Sequence, residues 1–395
     1  MALLLSDRFR EHLATSGWNE HAIVAAGLKI EALAEGLSLT TAGARHLNAH
    51  KATGSATEPV RTRSGVSGGL DLALGDDIYL NAPVVEHYAL SSKVVLDARE
   101  GGLVLSSGDY ECAVSPVARP SYYGSLDPMG RNAERIAQMC SADRLCYSLT
   151  GPTCSFWNEN DRCQYCSIGQ NAEADAPQRV IDELLLVMAL AVTDDTRPAR
   201  HLLLGGGTPT GDDMGAKRSL QIIKAIRESE NTAIASIPIY VMIAAPLENH
   251  WIDELFEAGV DELGMNLEFW STAAWEHYIP GKNRRIGRDR YLEALSHAGR
   301  VFGPIRARSI LVAGLEPLTE TAIAVKELAE RGVMPIISPF RPLNGTMLAH
   351  RRGSAGHEYQ DLFVEAEEIT RQFDLPLGPT CAPCTNNVLA LLGPR

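Results

Sequence analysis

The chain is 395 residues long, 45% apolar and 22% charged, a balance that suits a globular protein with room for a catalytic barrel and an appendage. Its net charge of −13 repels nucleic acid and anionic membrane alike, so neither is the expected partner. No apolar run approaches the roughly 18–20 residues of a membrane span.

At the amino end, MALLLSDRFREHLATSG has neither the basic lead nor the cleavage site of a secretory signal, so a cytoplasmic location with reduced cysteines is expected. Residues 19–37 place Ile23, Leu28, Ile30, Leu33 and Leu37 at helical spacing. The stretch 44–76, rich in Ala, Gly, Ser and Thr, reads as loop. DIYLNAPVV and KVVLDAREGGLVLSS read as strands, with a hairpin at Glu100-Gly101-Gly102. Residues 1–140 are expected to form an α+β accessory domain.

From about residue 146 the pattern changes to strand, loop and helix, repeated. The strands are CYSLTGPTC, RHLLLGGG, PIYVMIAA, ELGMNLEF, RARSILVAG and VMPIISPF, with helices such as VIDELLLVMALAV and TAIAVKELAERG between them. Parallel strands need crossover helices, so this alternation predicts an α/β fold. The expected architecture is a partial or near-complete (β/α) TIM-like barrel over residues 141–348, with a doubly wound open sheet as the alternative. Residues 349–395 form a C-terminal helix and a Cys-x-x-Cys tail.

The chemistry concentrates after the first barrel strand. TCSFWNENDRCQYCSIG carries Cys154, Cys163 and Cys166 as C-x8-C-x2-C. Three thiolates on one loop fill three corners of an iron–sulfur cube and leave one iron open to a small ligand. A zinc knuckle with a fourth ligand from elsewhere, or unliganded thiols, are the other readings. Phe156, Trp157 and Tyr165 would shield a cluster from water.

The second strand ends in Gly205, Gly206, Gly207 and Thr208, where small residues let backbone carbonyls approach a ligand ammonium group; no Lys-Ser/Thr pair follows, which argues against a phosphate loop. In ELGMNLEFW, alternation would turn Asn266 and Glu268 to one side, an amide and a carboxylate suited to a ribose diol. The plainer reading leaves Glu268 at the start of a solvated loop. Arg288 or Arg290, at a helix start, could meet a carboxylate, and Arg341 an anionic substrate group.

The cysteine loop, the glycine run and the alternating barrel together resemble the radical S-adenosylmethionine superfamily, nearest its biotin-synthase-like branch. The common spacing there is C-x3-C-x2-C, and this chain departs from it in the first gap. Tyr165 fills the aromatic place before the last cysteine. The string GGGTPT is similar to the coproporphyrinogen-oxidising branch, and Pro342, Gly345 and Thr346 resemble a Pro-x-x-Gly-Thr stretch of biotin synthase, although a turn explains them equally.

The resemblance implies a [4Fe–4S] cluster on Cys154, Cys163 and Cys166, with S-adenosylmethionine as cofactor. It implies that Gly205–Gly207 and Thr208 receive the methionine amino group, and that Asn266 and Glu268 receive the ribose. By the same resemblance Val312 and Gly314 neighbour the adenine, while of the two helix-start arginines Arg290 is taken as the partner of the methionine carboxylate. Implied partners are a small-molecule substrate and a reductant such as flavodoxin or ferredoxin.

In the tail, Cys381 and Cys384 could ligate an auxiliary iron–sulfur cluster or zinc, act as a redox pair, or lie as ordinary buried thiols. Cys140 and Cys146 are the candidates to complete a metal site, and the tail is expected near the barrel mouth. The functions left open are radical transformation of a small molecule, sulfur insertion or methylthio transfer with an auxiliary cluster, and non-catalytic zinc or iron–sulfur binding.

Overall fold

The computed structural model describes residues 5–49, 68–75, 77–125, 130, 132–171 and 180–393. Three helices open the chain: α1 (Asp7–Thr15), α2 (Glu20–Glu35) and α3 (Thr41–Ala49). Ser6 and Asn19 cap the first two, each side chain accepting an early helical N–H. The loop expected over 44–76 is therefore helical to Ala49 and strand at 70–74; the rest of it falls largely outside the described residues.

The amino-terminal strands are β1 (Ser38–Leu39), β2 (Leu70–Leu74), β3 (Ile78–Ala82), β4 (Val95–Arg99), β5 (Gly102–Ser107) and β6 (Tyr110–Pro116). They form one sheet in the order β1-β4-β5-β6-β2-β3, antiparallel except for β1 on β4. The β4–β5 hairpin pairs Arg99 with Gly102, as the Glu100-Gly101-Gly102 signal predicts.

The second sheet holds β7 (Gln138–Cys140), β8 (Arg144–Ser148), β9 (His201–Gly205), β10 (Ile239–Met242), β11 (Glu262–Gly264), β12 (Ala307–Ala313) and β13 (Met334–Pro339). Every expected barrel strand is present. Strands β8 to β13 lie side by side in chain order and parallel, and β7 adds an antiparallel edge to β8. A doubly wound sheet would reverse its strand order at a switch point. This order never reverses, so the arrangement is a partial barrel with an amino-terminal α+β extension. Because β7 belongs to the barrel sheet, that sheet starts a few residues before the expected boundary at 140.

The connecting helices are α4 (Ile181–Val192), α5 (Ala216–Arg227), α6 (Thr232–Ala235), α7 (His250–Glu257), α8 (Thr272–Tyr278), α9 (Pro280–Arg285), α10 (Arg288–Phe302) and α11 (Leu318–Glu330). Asp182 and Glu183 occupy the first turn of α4, and Lys224 and Arg227 the last turn of α5, each sign complementing the helix dipole. The expected C-terminal helix is α12 (Gly356–Arg371), which packs on α1, α2 and α11. Among the described residues no helix is long and apolar enough to cross a membrane.

Candidate active site

Parallel strands put all their carboxyl ends on one edge, and the barrel's functional loops leave from there. The cysteine loop follows β8, the glycine run ends β9, Glu268 follows β11, Gly314 follows β12 and Arg341 follows β13. Sequence reasoning therefore gathers these residues at the correct end.

The glycines press against the cysteine loop. A Cβ at Gly207 would stand 1.9 Å from the Thr153 carbonyl oxygen, and one at Gly206 would stand 2.4 Å from Ser148 Oγ. Thr208 completes the contact, its N–H donating to Cys154 Sγ at 3.3 Å while its carbonyl accepts from Ser155 at 2.7 Å. The run is thus needed first for its own neighbour: larger residues would push Cys154 away.

Cys163 and Cys166 sit deeper, where burial pushes their thiols up to about 12 and about 11. Uncharged thiols are what burial favours in the absence of a compensating cation. A metal would reverse that preference, because bound thiolates are deprotonated outright. The thiols are not drawn together around one ion. Among the described residues, the one group of metal-ligating atoms all within 4.8 Å of one another lies elsewhere.

Beneath the loop lies an ion pair the sequence did not disclose. Glu268 and Lys282 meet at 2.9 Å, both nearly buried, and the neighbouring carboxylate adds to burial in pushing the Tyr165 phenol well above its usual range. The solvated-loop reading of Glu268 is overturned by its 8% exposure. The alternation argument also fails, since β11 stops at Gly264 and Glu268 adopts φ +69°. A non-glycine residue held there costs about 1–3 kcal/mol. Backbone bonds to β12 hold it, Glu268 N–H to Ile310 and Val312 N–H to Glu268. Asn266 turns to the neighbouring strands, its Oδ1 accepting from Ile310 N–H at 3.3 Å.

Helix α9, absent from the sequence reading, clasps the long first gap of the cysteine motif. Gly281 N–H bonds Asp161 O at 3.1 Å, and Arg284 pairs with Asp161. Arg285 reaches Gly211 O at 2.8 Å and Ser155 Oγ at 3.3 Å, with its guanidinium over the Phe156 ring. The signal that could have found α9 is Pro280 opening a short basic run, PGKNRR.

Other expected contacts are already engaged. Arg290 holds Pro246 O and Asn249 Oδ1, and Arg288 stacks on Trp270 and bonds its carbonyl. Val312 is buried in β12, and Gly314 (φ +98°) leaves room for Tyr359 Oη, 2.2 Å from where a Cβ would be. Arg341 bonds Asn81 Oδ1 at 3.0 Å, while its buried Nη2 has no partner among the described residues. Thr346 closes a turn on Leu343 O, and Gly345 O accepts from Gln170, which favours the turn reading of this stretch.

The tail is not at the barrel mouth. Cys381 and Cys384 join Asp143, which precedes β8, and His201, which opens β9, so they lie at the amino ends of the strands. Cys140 and Cys146 do not complete this group; they lie on the paired strands β7 and β8, where the ladder sets Cys140 opposite Arg144 and Cys146 opposite Gln138. All eight cysteines are free thiols.

A partial parallel barrel with three cysteines on the loop after its first parallel strand defines a recognisable class. Residues 159–328 match the model of the Radical SAM superfamily, a span that includes Cys163 and Cys166 and begins after Cys154. This segment is a radical SAM domain, of a superfamily whose members are enzymes that use a [4Fe–4S] cluster and S-adenosylmethionine.

A curated relative, bacteriochlorophyllide c C-7(1)-hydroxylase of Chlorobaculum limnaeum, is 23% identical over 251 residues, 58% of this chain and 62% of the relative. Methylornithine synthase aligns over 57% of this chain and 63% of its own, at 13% identity and a TM-score of 0.43. The hydrogenase maturase HydG aligns over 57% and 48%, at 16% identity and 0.42. The chain thus spans less than two thirds of each of these proteins.

Proposed function

We propose that the chain is a radical S-adenosylmethionine enzyme acting on a small molecule, with its [4Fe–4S] cluster on Cys154, Cys163 and Cys166. The observation that carries this reading is the three-thiol loop packed on the glycine run at the carboxyl ends of β8 and β9. When bound, the cluster and cofactor supply reductive cleavage of the sulfonium to a 5′-deoxyadenosyl radical that abstracts hydrogen from substrate.

The protein's share is positioning and charge. Cys154, Cys163 and Cys166 would hold the cluster and leave one iron without a protein ligand, open to the cofactor. The Thr208 N–H stabilises negative charge on Cys154 Sγ. Lys282 places a buried positive charge beside Cys163 and Cys166 and offsets the cost of their ionisation. We assign the methionine amino group to the carbonyls of Gly205–Gly207 and Thr208, the ribose to Asn266 and Glu268, and the adenine to Val312 and Gly314. Arg290 as the carboxylate partner would have to leave Asn249; Arg285, nearer the cysteine loop, is the better placed cation.

The carbon position in the hydroxylase's name supports chemistry that begins at a C–H bond. The free cysteines suit a reducing compartment such as the cytoplasm, with flavodoxin or ferredoxin as electron donor. Sulfur insertion or methylthio transfer would require a second cluster at the tail. We take residues 1–140 as an accessory domain and 349–395 as a C-terminal helix and Cys-x-x-Cys tail.

The test is anaerobic reconstitution with iron and sulfide, then S-adenosylmethionine and a strong reductant. 5′-Deoxyadenosine is expected, and it should depend on all three cysteines. Cluster-loaded protein that forms none would overturn the reading.

A further inference from the structure

We propose that Asp143, His201, Cys381 and Cys384 form a closed site for one zinc ion, which fastens the C-terminal tail to the amino ends of β8 and β9. These residues are scattered in sequence and converge only in the fold. Asp143 immediately precedes β8, and the ladder pairs Arg144 with His201 across the β8–β9 edge. Cys381 and Cys384 flank a single tight turn that packs on β3.

The four residues offer one ligand atom each, all within 4.8 Å of one another. Zinc–ligand bonds of about 2.0–2.3 Å in a tetrahedron place the donors roughly 3.3–3.8 Å apart. With Nε2 as the ligand nitrogen, His201 lies 3.3 Å from Cys384 Sγ; its Nδ1, which faces Asp143 Oδ1 at 3.8 Å, is not a donor to the same ion. The widest separation, at most 4.8 Å, would have to close by about 1 Å to give a tetrahedral sphere.

Two further observations point to a ligand. Asp143 Oδ1 is buried and accepts no hydrogen bond, a cost of about 1–3 kcal/mol that a cation would remove. The charges also balance: two thiolates and a carboxylate are met by a divalent ion and by Arg144, buried beside Cys384.

A four-iron cluster fits less well. Its thiolates each bind a different iron and stand farther apart, and the donor set here is mixed nitrogen, oxygen and sulfur rather than four thiols. Cys140 and Cys146, which would have to complete it, are not among the residues whose ligand atoms converge. With four protein donors and no open position, the ion would be structural. It would add to the tail's other tethers: Asn81 N–H to Asn386 O at 2.7 Å and Leu389 N–H to Ile337 O at 2.9 Å.

The test uses the full chain purified anaerobically, with iron and zinc counted together. About one zinc per chain is expected. Cys163→Ser should lose iron and keep zinc; Cys381→Ser with Cys384→Ser should lose zinc and keep the cluster iron. Metal-free wild-type protein should take up one equivalent of Co(II) with the intense visible bands of a tetrahedral thiolate site. That measurement does not depend on a variant folding. Wild-type protein with neither stoichiometric zinc nor that spectrum overturns the proposal. So does zinc retained by the double variant, or iron halved in it, which would mean a second cluster. Because zinc and iron are read separately, this proposal can fail while the radical enzyme assignment stands, and the reverse.

Discussion

The two ends of the barrel sheet carry two kinds of cysteine site, built from the same pair of strands. At the carboxyl ends of β8 and β9, three thiols share one loop, the Thr208 N–H faces one of them, and a buried ion pair lies beneath. At the amino ends, two thiols, an imidazole and a carboxylate from three separate segments crowd within 4.8 Å. Strand β8 rises only about 13 Å between its first and last residues, so the two sites are close yet face opposite ways. On the two proposed assignments, the contrast is one of coordination number. Three ligands leave a metal position open for chemistry, whereas four close it and leave a brace.

The sharpest test of that contrast is Cys163→Ser, expected to abolish iron binding and 5′-deoxyadenosine formation; retention of either would refute the cluster assignment. Next is Gly207→Ala. Its Cβ would overlap Thr153 O, so the loop must move, and cluster occupancy measured by iron content should fall well below half. Zinc at the other end should be unchanged.

A smaller effect is expected at Glu268. Glu268→Ala should keep the iron but weaken S-adenosylmethionine binding about tenfold, or 1.4 kcal/mol. It should also destabilise the fold by about 3–5 kcal/mol, since Lys282 would be left buried and unpaired. Adding Lys282→Met should restore much of the stability and none of the affinity. If calorimetry shows both restored, Glu268 acts only through the ion pair and does not touch the cofactor.

The carboxyl-end site was legible because its parts are local. Cys154, Cys163 and Cys166 lie on one loop, Gly205–Gly207 close the next strand, and barrel topology alone carries both to one edge. Its electrostatics were hidden, because Lys282 lies on α9, a six-residue helix with too little apolar periodicity to stand out. Glu268 misled the alternation argument because strand geometry ends at Gly264. At the amino end the Cys-x-x-Cys signal was visible but its partners were not. Asp143 and His201 are ordinary strand-edge residues whose proximity to Cys384 depends on where a long tail returns, and no local pattern encodes that return.

The least dramatic prediction concerns what else holds that tail. Lys29, in the middle of α2, is fully buried and donates its Nζ to Ala390 O at 2.8 Å. Burial draws its ammonium from 10.5 to about 7. Between those values the unfolded chain holds a proton that the folded chain has released, so protonation favours unfolding. This group's penalty is complete below about pH 7 and fades as the pH rises towards 10.5. Lys29→Met removes the titration but leaves Ala390 O without its donor, a loss of about 1–2 kcal/mol. Urea unfolding at neutral and at alkaline pH should therefore show wild type gaining more stability, or losing less, than Lys29→Met over that interval. Parallel behaviour of the two proteins would mean that Lys29 keeps its charge when buried. The tail's anchorage would then rest on an ionic contact at α2 as well as on the ligand group beneath the barrel.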